Sequence, residues 1–126
     1  MKHIWIVDDD DEMAHAVTLM LNLLDCSVRH FLHARLAAKE LLDGKHPDLV
    51  ILDISMPEVN GIMMLEFIRR RPEWKDLPVI MLSSEATDVQ IEEALKLGAD
   101  DYVTKPVSVD ELETAMQTAF KKHGKM

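Results

Sequence analysis

The sequence predicts an α/β fold, a doubly wound five-stranded parallel sheet with strand order 2-1-3-4-5. Two observations lead there. Apolar runs of four to six residues alternate with stretches of helical period, which is the pattern of repeated β-α units. Four of those runs also close on residues suited to chemistry. Asp8 and Asp9 follow the run 4–7, Asp53 follows 49–52, Ser83 follows 79–82 and Lys105 follows 102–104. In a parallel sheet the carboxyl ends of neighbouring strands share one edge, so three carboxylates, a hydroxyl and an ammonium converge. Right-handed crossovers place helices on both faces, and this strand order puts its switch point between the strands ending at Asp8 and Asp53. The expected pocket and the expected switch point coincide.

The elements follow in order. The first helix, from about 10 to 24, carries Met13, Val17, Met20, Leu21 and Leu24 on one stripe. Acids at 9–12 favour the positive end of its dipole, and Asp10 is its candidate cap. The second strand, near 27–31, has Cys26 beside it, read as a buried structural thiol. The second helix, about 34–43, stops at Gly44 before Pro47. It has no good cap around Leu32, His33 and Ala34, a loss of about 1 kcal/mol. Pro57, Asn60 and Gly61 mark 54–61 as a loop. The third helix runs to about Arg71 before Pro72, and the dipole accounts for Arg69, Arg70 and Arg71 at its end. Thr87-x-x-Gln90 and Ser108-x-x-Glu111 match capping boxes for the last two helices. The fourth ends at Gly98; the fifth reaches about Lys122 with Leu112, Met116, Ala119 and Phe120 facing inward.

A chain of 126 residues fits one domain over its whole length, with an ordered core of about 3–122. A net charge of −9 argues against contact with nucleic acid or an anionic membrane. The apolar runs are too short to span a bilayer, no signal peptide is visible, and a lone cysteine fits a reducing cytoplasm. His15, His30, His33, His46 and His123 show no metal spacing and read as surface residues.

The pocket has its own chemistry. Three close carboxylates repel by a few kcal/mol per pair at an effective dielectric of ~20, so a cation must neutralise them or one must stay protonated. Oxygen-only ligation suits Mg²⁺ or Mn²⁺, whereas zinc would want His or Cys. Asp53 could then attack phosphorus, with Lys105 and the Ser83 hydroxyl meeting the phosphoryl oxygens.

At these residues the chain resembles the receiver domain of two-component response regulators, a flavodoxin-like (βα)5 fold, over essentially its whole length. The motifs are Ile6-Val7-Asp8-Asp9, Asp53-Ile54-x-Met56-Pro57-x-x-x-Gly61, Pro78-Val79-Ile80-Met81-Leu82-Ser83 and Gly98-Ala99-Asp100-Asp101-Tyr102-x-x-Lys105-Pro106. The resemblance implies that Asp53 accepts a phosphoryl group from the phosphohistidine of a sensor kinase or a phosphotransfer protein. It implies direct Mg²⁺ ligation by Asp9 and Asp53, water-mediated ligation by Asp8, and a further ligand in the Ser55 main-chain carbonyl. Lys105 would pair with the phosphate, and the Lys105–Pro106 bond would be cis. Ser83 and Tyr102 would form the switch, with Ser55 and Glu85 tuning hydrolysis. Such a domain transforms itself and turns over no separate substrate.

The face of helix 4, strand 5 and helix 5 is the expected output surface. Ile91, Leu95, Tyr102 and Ala115 are expected to expose an apolar patch there for an effector or a second copy; the competing reading buries all four. The stretch 98–105 looks most like winged-helix transcription regulators. Their basic residue near Ile91 and Arg near Ala115 are missing, so a dimer built on those charge pairs is not expected. The alternatives carried are the receiver part of a longer DNA-binding regulator, a phosphatase of the haloacid dehalogenase type, and a receiver that works unphosphorylated. The phosphatase reading needs a second Asp two residues after Asp53, where Ser55 stands.

Overall fold

A computed structural model describes residues 1–84 and 88–125, with the Asp88 side chain excluded. The strands are β1 Lys2–Val7, β2 Cys26–Phe31, β3 Leu49–Asp53, β4 Val79–Ser83 and β5 Asp101–Thr104. The helices are α1 Asp11–Leu23, α2 Ala34–Leu42, α3 Gly61–Arg69, α4 Asp88–Leu97 and α5 Val109–Lys122. All strand pairs are parallel, and the order is β2-β1-β3-β4-β5, as expected.

The central strands read as unbroken apolar runs because both of their faces are buried. Alternate residues divide between two cores. Trp5, Val7, Val50, Leu52, Val79 and Met81 face α2, α3 and α4. Ile4, Ile6, Leu49, Ile51, Ile80 and Leu82 face α1 and α5. Each fully buried Leu or Ile among them contributes about 2 kcal/mol relative to exposure.

Caps set the helix starts. The Asp10 side chain accepts from the amides of Glu12 and Met13, as its position predicts. Asn60 accepts from Met63 N, and Ser108 Oγ accepts from Glu111 N at 3.2 Å. Glu111 departs from the reciprocal box: its carboxylate accepts the Ser108 hydroxyl at 2.9 Å. His33, at the start of α2, makes no side-chain cap bond. Thr87 and Glu85 lie outside the described residues.

Several expectations need correction. Helix α3 stops at Arg69, and a 3₁₀ turn follows at Pro72–Trp74. Its buried Trp74 tilts against Phe67, with ring centroids 5.4 Å apart. The apolar output patch is only half present. Ile91 and Ala115 are 7% and 3% exposed, while Leu95 and Tyr102 are 41% and 38% exposed. Ala115 lies on the inward stripe of α5, with Leu112, Met116, Ala119 and Phe120. On α4 the covered arc runs from Ile91 through Ala94 to the partly buried Leu97, about 120° at 100° per residue. Leu95 sits about 40° beyond it on the other side.

Two histidines are not plain surface residues. The His123 Nε2 lies 2.9 Å from both carboxylate oxygens of buried Asp100. His30 reaches the main chain of Asp8. The three arginines also have particular partners. Arg69 donates to the carbonyls of Gly98 (2.9 Å) and Trp74 (3.1 Å) and to Asp100 (3.2 Å). Arg70 pairs with Glu66, and Arg71 pairs with Glu73 and stacks over Trp74.

Candidate metal and phosphoryl site

The parallel register decides which side chains meet. Strand β1 pairs with β3 through Val7↔Leu52, so Asp8 and Asp53 come one step later on adjacent strands. Strand β3 pairs with β4 through Asp53↔Leu82, and β4 with β5 through Ser83↔Thr104. The amide of Lys105 donates to the Ser83 carbonyl at 2.8 Å, which seats its side chain beside the acids.

The outcome is one cluster at the carboxyl edge. One oxygen each of Asp8, Asp9 and Asp53 lie within 4.8 Å of one another. Lys105 Nζ stands 3.6 Å from Asp8 Oδ2 and 3.5 Å from Asp53 Oδ1. Asp8, Asp53 and Ser83 are buried, and Asp9 is exposed. The Ser55 amide donates to Asp53 Oδ1 at 3.3 Å. The Lys105–Pro106 bond is cis. Tyr102 is exposed.

Burial holds the Asp53 carboxyl far above the usual carboxylate range, at about 7. The facing charge of Asp8 adds to that rise; Lys105 and the Ser55 amide oppose it. A lone ammonium thus offsets the acids only in part. Asp8 Oδ2 is buried without a hydrogen-bond partner among the described residues. A buried, unbonded carboxylate oxygen beside two further carboxylates fits a hard divalent cation, and the all-oxygen donor set favours Mg²⁺ or Mn²⁺.

The loop after Asp53 is folded back onto it. Gly61 N donates to the Ile54 carbonyl at 3.1 Å. A Cβ on Gly61 would lie 2.3 Å from the Asp53 carbonyl oxygen, so any larger residue must push the loop away. Only the need for a turn was legible there. His30 was missed outright; its Nε2 lies 2.7 Å from the Asp8 carbonyl oxygen.

The fold and this acidic edge define a receiver domain. The chain belongs to the response regulator receiver domain family, whose pattern matches residues 4–117. It is a part of two-component signalling. It is 32% identical over 125 residues to the KDP operon transcriptional regulatory protein KdpE of Escherichia coli, covering 98% of this chain and 53% of that one. It is 30% identical over 123 residues to the phosphate regulon transcriptional regulatory protein PhoB of Pseudomonas aeruginosa, again covering 98% and 53%. The chain spans about half the length of the curated relatives it matches. A response regulator crystal structure from Chloroflexus aurantiacus superposes with a TM-score of 0.89 at 28% identity, covering 95% of this chain and 98% of that one. The chemotaxis protein CheY4 of Vibrio cholerae gives 0.84 at 25% identity, covering 94% and 98%. No helix among the described residues is long and apolar enough to cross a membrane.

Proposed function

We propose that the chain is a phosphorylation-switched receiver in which Asp53 carries a phosphoryl group taken from the phosphohistidine of a kinase or phosphotransfer protein. The observation that carries this reading is the buried Asp53 carboxylate between a second acid and a lysine, at the end of β3. Asp9 and Asp53, with the Ser55 main-chain carbonyl, would hold Mg²⁺ directly and Asp8 would hold it through water. When bound, the cation would neutralise the acids and polarise the phosphoryl oxygens.

An Asp53 oxygen attacks phosphorus as the P–N bond to the donor imidazole breaks, and the electron pair leaves with that nitrogen. The product is an aspartyl phosphate. Water attack at phosphorus later releases inorganic phosphate and regenerates the carboxylate. Lys105 stands 3.5 Å from the Asp53 oxygen, close enough to meet the charge on the transferred group. Ser83, buried at the end of β4, would donate its hydroxyl to the same group. Tyr102 would follow it inward, coupling the site to the face of α4, β5 and α5, where an effector or a second copy docks. Ser55 and Glu85 would set the lifetime of the acyl phosphate.

The whole chain acts as one domain, in the cytoplasm, either alone or as the receiver half of a longer DNA-binding regulator. Such a receiver catalyses only its own phosphorylation and dephosphorylation. Incubation with acetyl phosphate and MgCl₂, followed by intact mass, tests the reading. Wild type should gain one phosphoryl group and Asp53→Asn none; equal labelling of the two would refute it.

A further inference from the structure

The acid at the end of β1 is held from one side by a residue no metal or phosphoryl motif contains. We infer that His30 is a positioning residue for the cation site, acting through a hydrogen bond to the main chain of Asp8. The inference rests on the proposed Mg²⁺ site and deepens it.

Asp8 carries two polar main-chain groups and two carboxylate oxygens. Its amide donates to the Phe31 carbonyl at 3.0 Å, the last rung between β1 and β2. Chain 32–33 then bends away toward α2. The Asp8 carbonyl meets the ring of His30 at 2.7 Å in place of a further rung. Oδ1 accepts from the Asp10 amide at 2.9 Å. Three of the four groups are therefore committed, and the fourth, Oδ2, is the buried oxygen without a hydrogen bond that faces Lys105. A carboxylate fixed at its backbone and at one oxygen has little freedom to swing the other away from the pocket.

The register explains how His30 gets there. From β2 it pairs with Ile6 of β1, two residues before Asp8. Its side chain shares a face with Val28 and Cys26, the side on which α1 packs. The ring thus rises past the end of the strand toward the turn into α1, and its Nδ1 lies 3.8 Å from Asp11 Oδ1. A carbonyl oxygen can only accept, so Nε2 carries the proton and donates. Outer groups that orient a metal ligand govern affinity without touching the ion, by tenfold or more when removed.

The test uses an isosteric pair. His30→Gln keeps a donor at similar reach, and His30→Met keeps the length without the donor. Affinity for MgCl₂ alone is read by isothermal titration and by the amide shifts of Asp9 and Asp53. The expected result is about tenfold weaker binding for His30→Met and binding within twofold of wild type for His30→Gln. A control, Ile68→Val, loses core stability far from the turn and should bind normally. Equal affinity of His30→Met and wild type would overturn the inference, and so would equal weakening by both substitutions. Wild type supplies an independent readout should His30→Met not fold. Coupling is reciprocal, so MgCl₂ should slow solvent exchange of the His30 Nε2 proton, and an unchanged rate counts against the idea. Failure of wild type to bind Mg²⁺ at all would strike the proposed function and not this contact.

Discussion

Asp53 is caught between two requirements at the scale of a single side chain. The proposed attack on phosphorus needs it ionised, yet burial and Asp8 hold its proton on up to about pH 7. The consequence for stability has a definite sign. The unfolded chain releases this proton near pH 4, and the folded chain keeps it to about 7. Between those values the unfolded state binds fewer protons, so without divalent cation stability falls as pH rises and levels off above 7. Asp53→Asn should remove that slope and be the more stable protein at pH 8, by on the order of 2 kcal/mol. Urea titrations at pH 5 and 8 with EDTA would measure it. MgCl₂ should narrow the gap by stabilising wild type.

Gly61 acts on the same scale. Its missing side chain lets the loop lie on the Asp53 carbonyl, and a methyl at 2.3 Å cannot be accommodated without displacing backbone. Gly61→Ala should cost at least 2 kcal/mol and slow labelling by acetyl phosphate, because the loop also positions the Ser55 amide.

Among the elements, helix caps offer the simplest adjustments. Helix α2 begins without a side-chain acceptor at His33, whose backbone is already extended as a cap requires. His33→Asp should therefore stabilise by about 0.5–1 kcal/mol in a urea denaturation. Helix α4 teaches the opposite lesson. Ile91 is buried and Leu95 is exposed, although four-residue spacing puts them near one face. Ile91→Glu places an unpaired charge in the interior and should lower the thermal midpoint substantially. Leu95→Glu should leave it nearly unchanged and is the cleaner probe of partner docking.

Strands and strand-end residues were legible because period and terminal position are local properties. The stripe of α5 was legible for the same reason, and it already contained Ala115 at the inward spacing. What escaped was non-local. Which arc of α4 is covered depends on how the helix lies against neighbours far away in sequence. His30 and His123 looked scattered because their partners, Asp8 and Asp100, sit 22 and 23 residues off. Arg69 looked like a dipole residue and instead reaches 31 residues onward to Asp100.

Across the whole molecule, that last contact belongs to a polar staple at the edge opposite the acids. Asp100 accepts from Val79 N at 2.8 Å, from Arg69 and from His123, while its carbonyl takes Lys122 Nζ at 2.6 Å. One carboxylate thereby ties α3, β4, β5 and α5 together. Arg69→Ala would leave this buried acid without its guanidinium partner and is expected to cost about 3 kcal/mol, read from the shift in urea midpoint.

The acidic pocket draws on β1, β3, β4 and β5, and its lysine lies 97 positions (105 − 8) after its first acid. During synthesis, then, Asp53 emerges as an ordinary aspartate on an incomplete sheet. Lys105 cannot stand beside it until the fifth strand has left the ribosome and paired, so a chain halted before that point has no assembled pocket to respond to a signal.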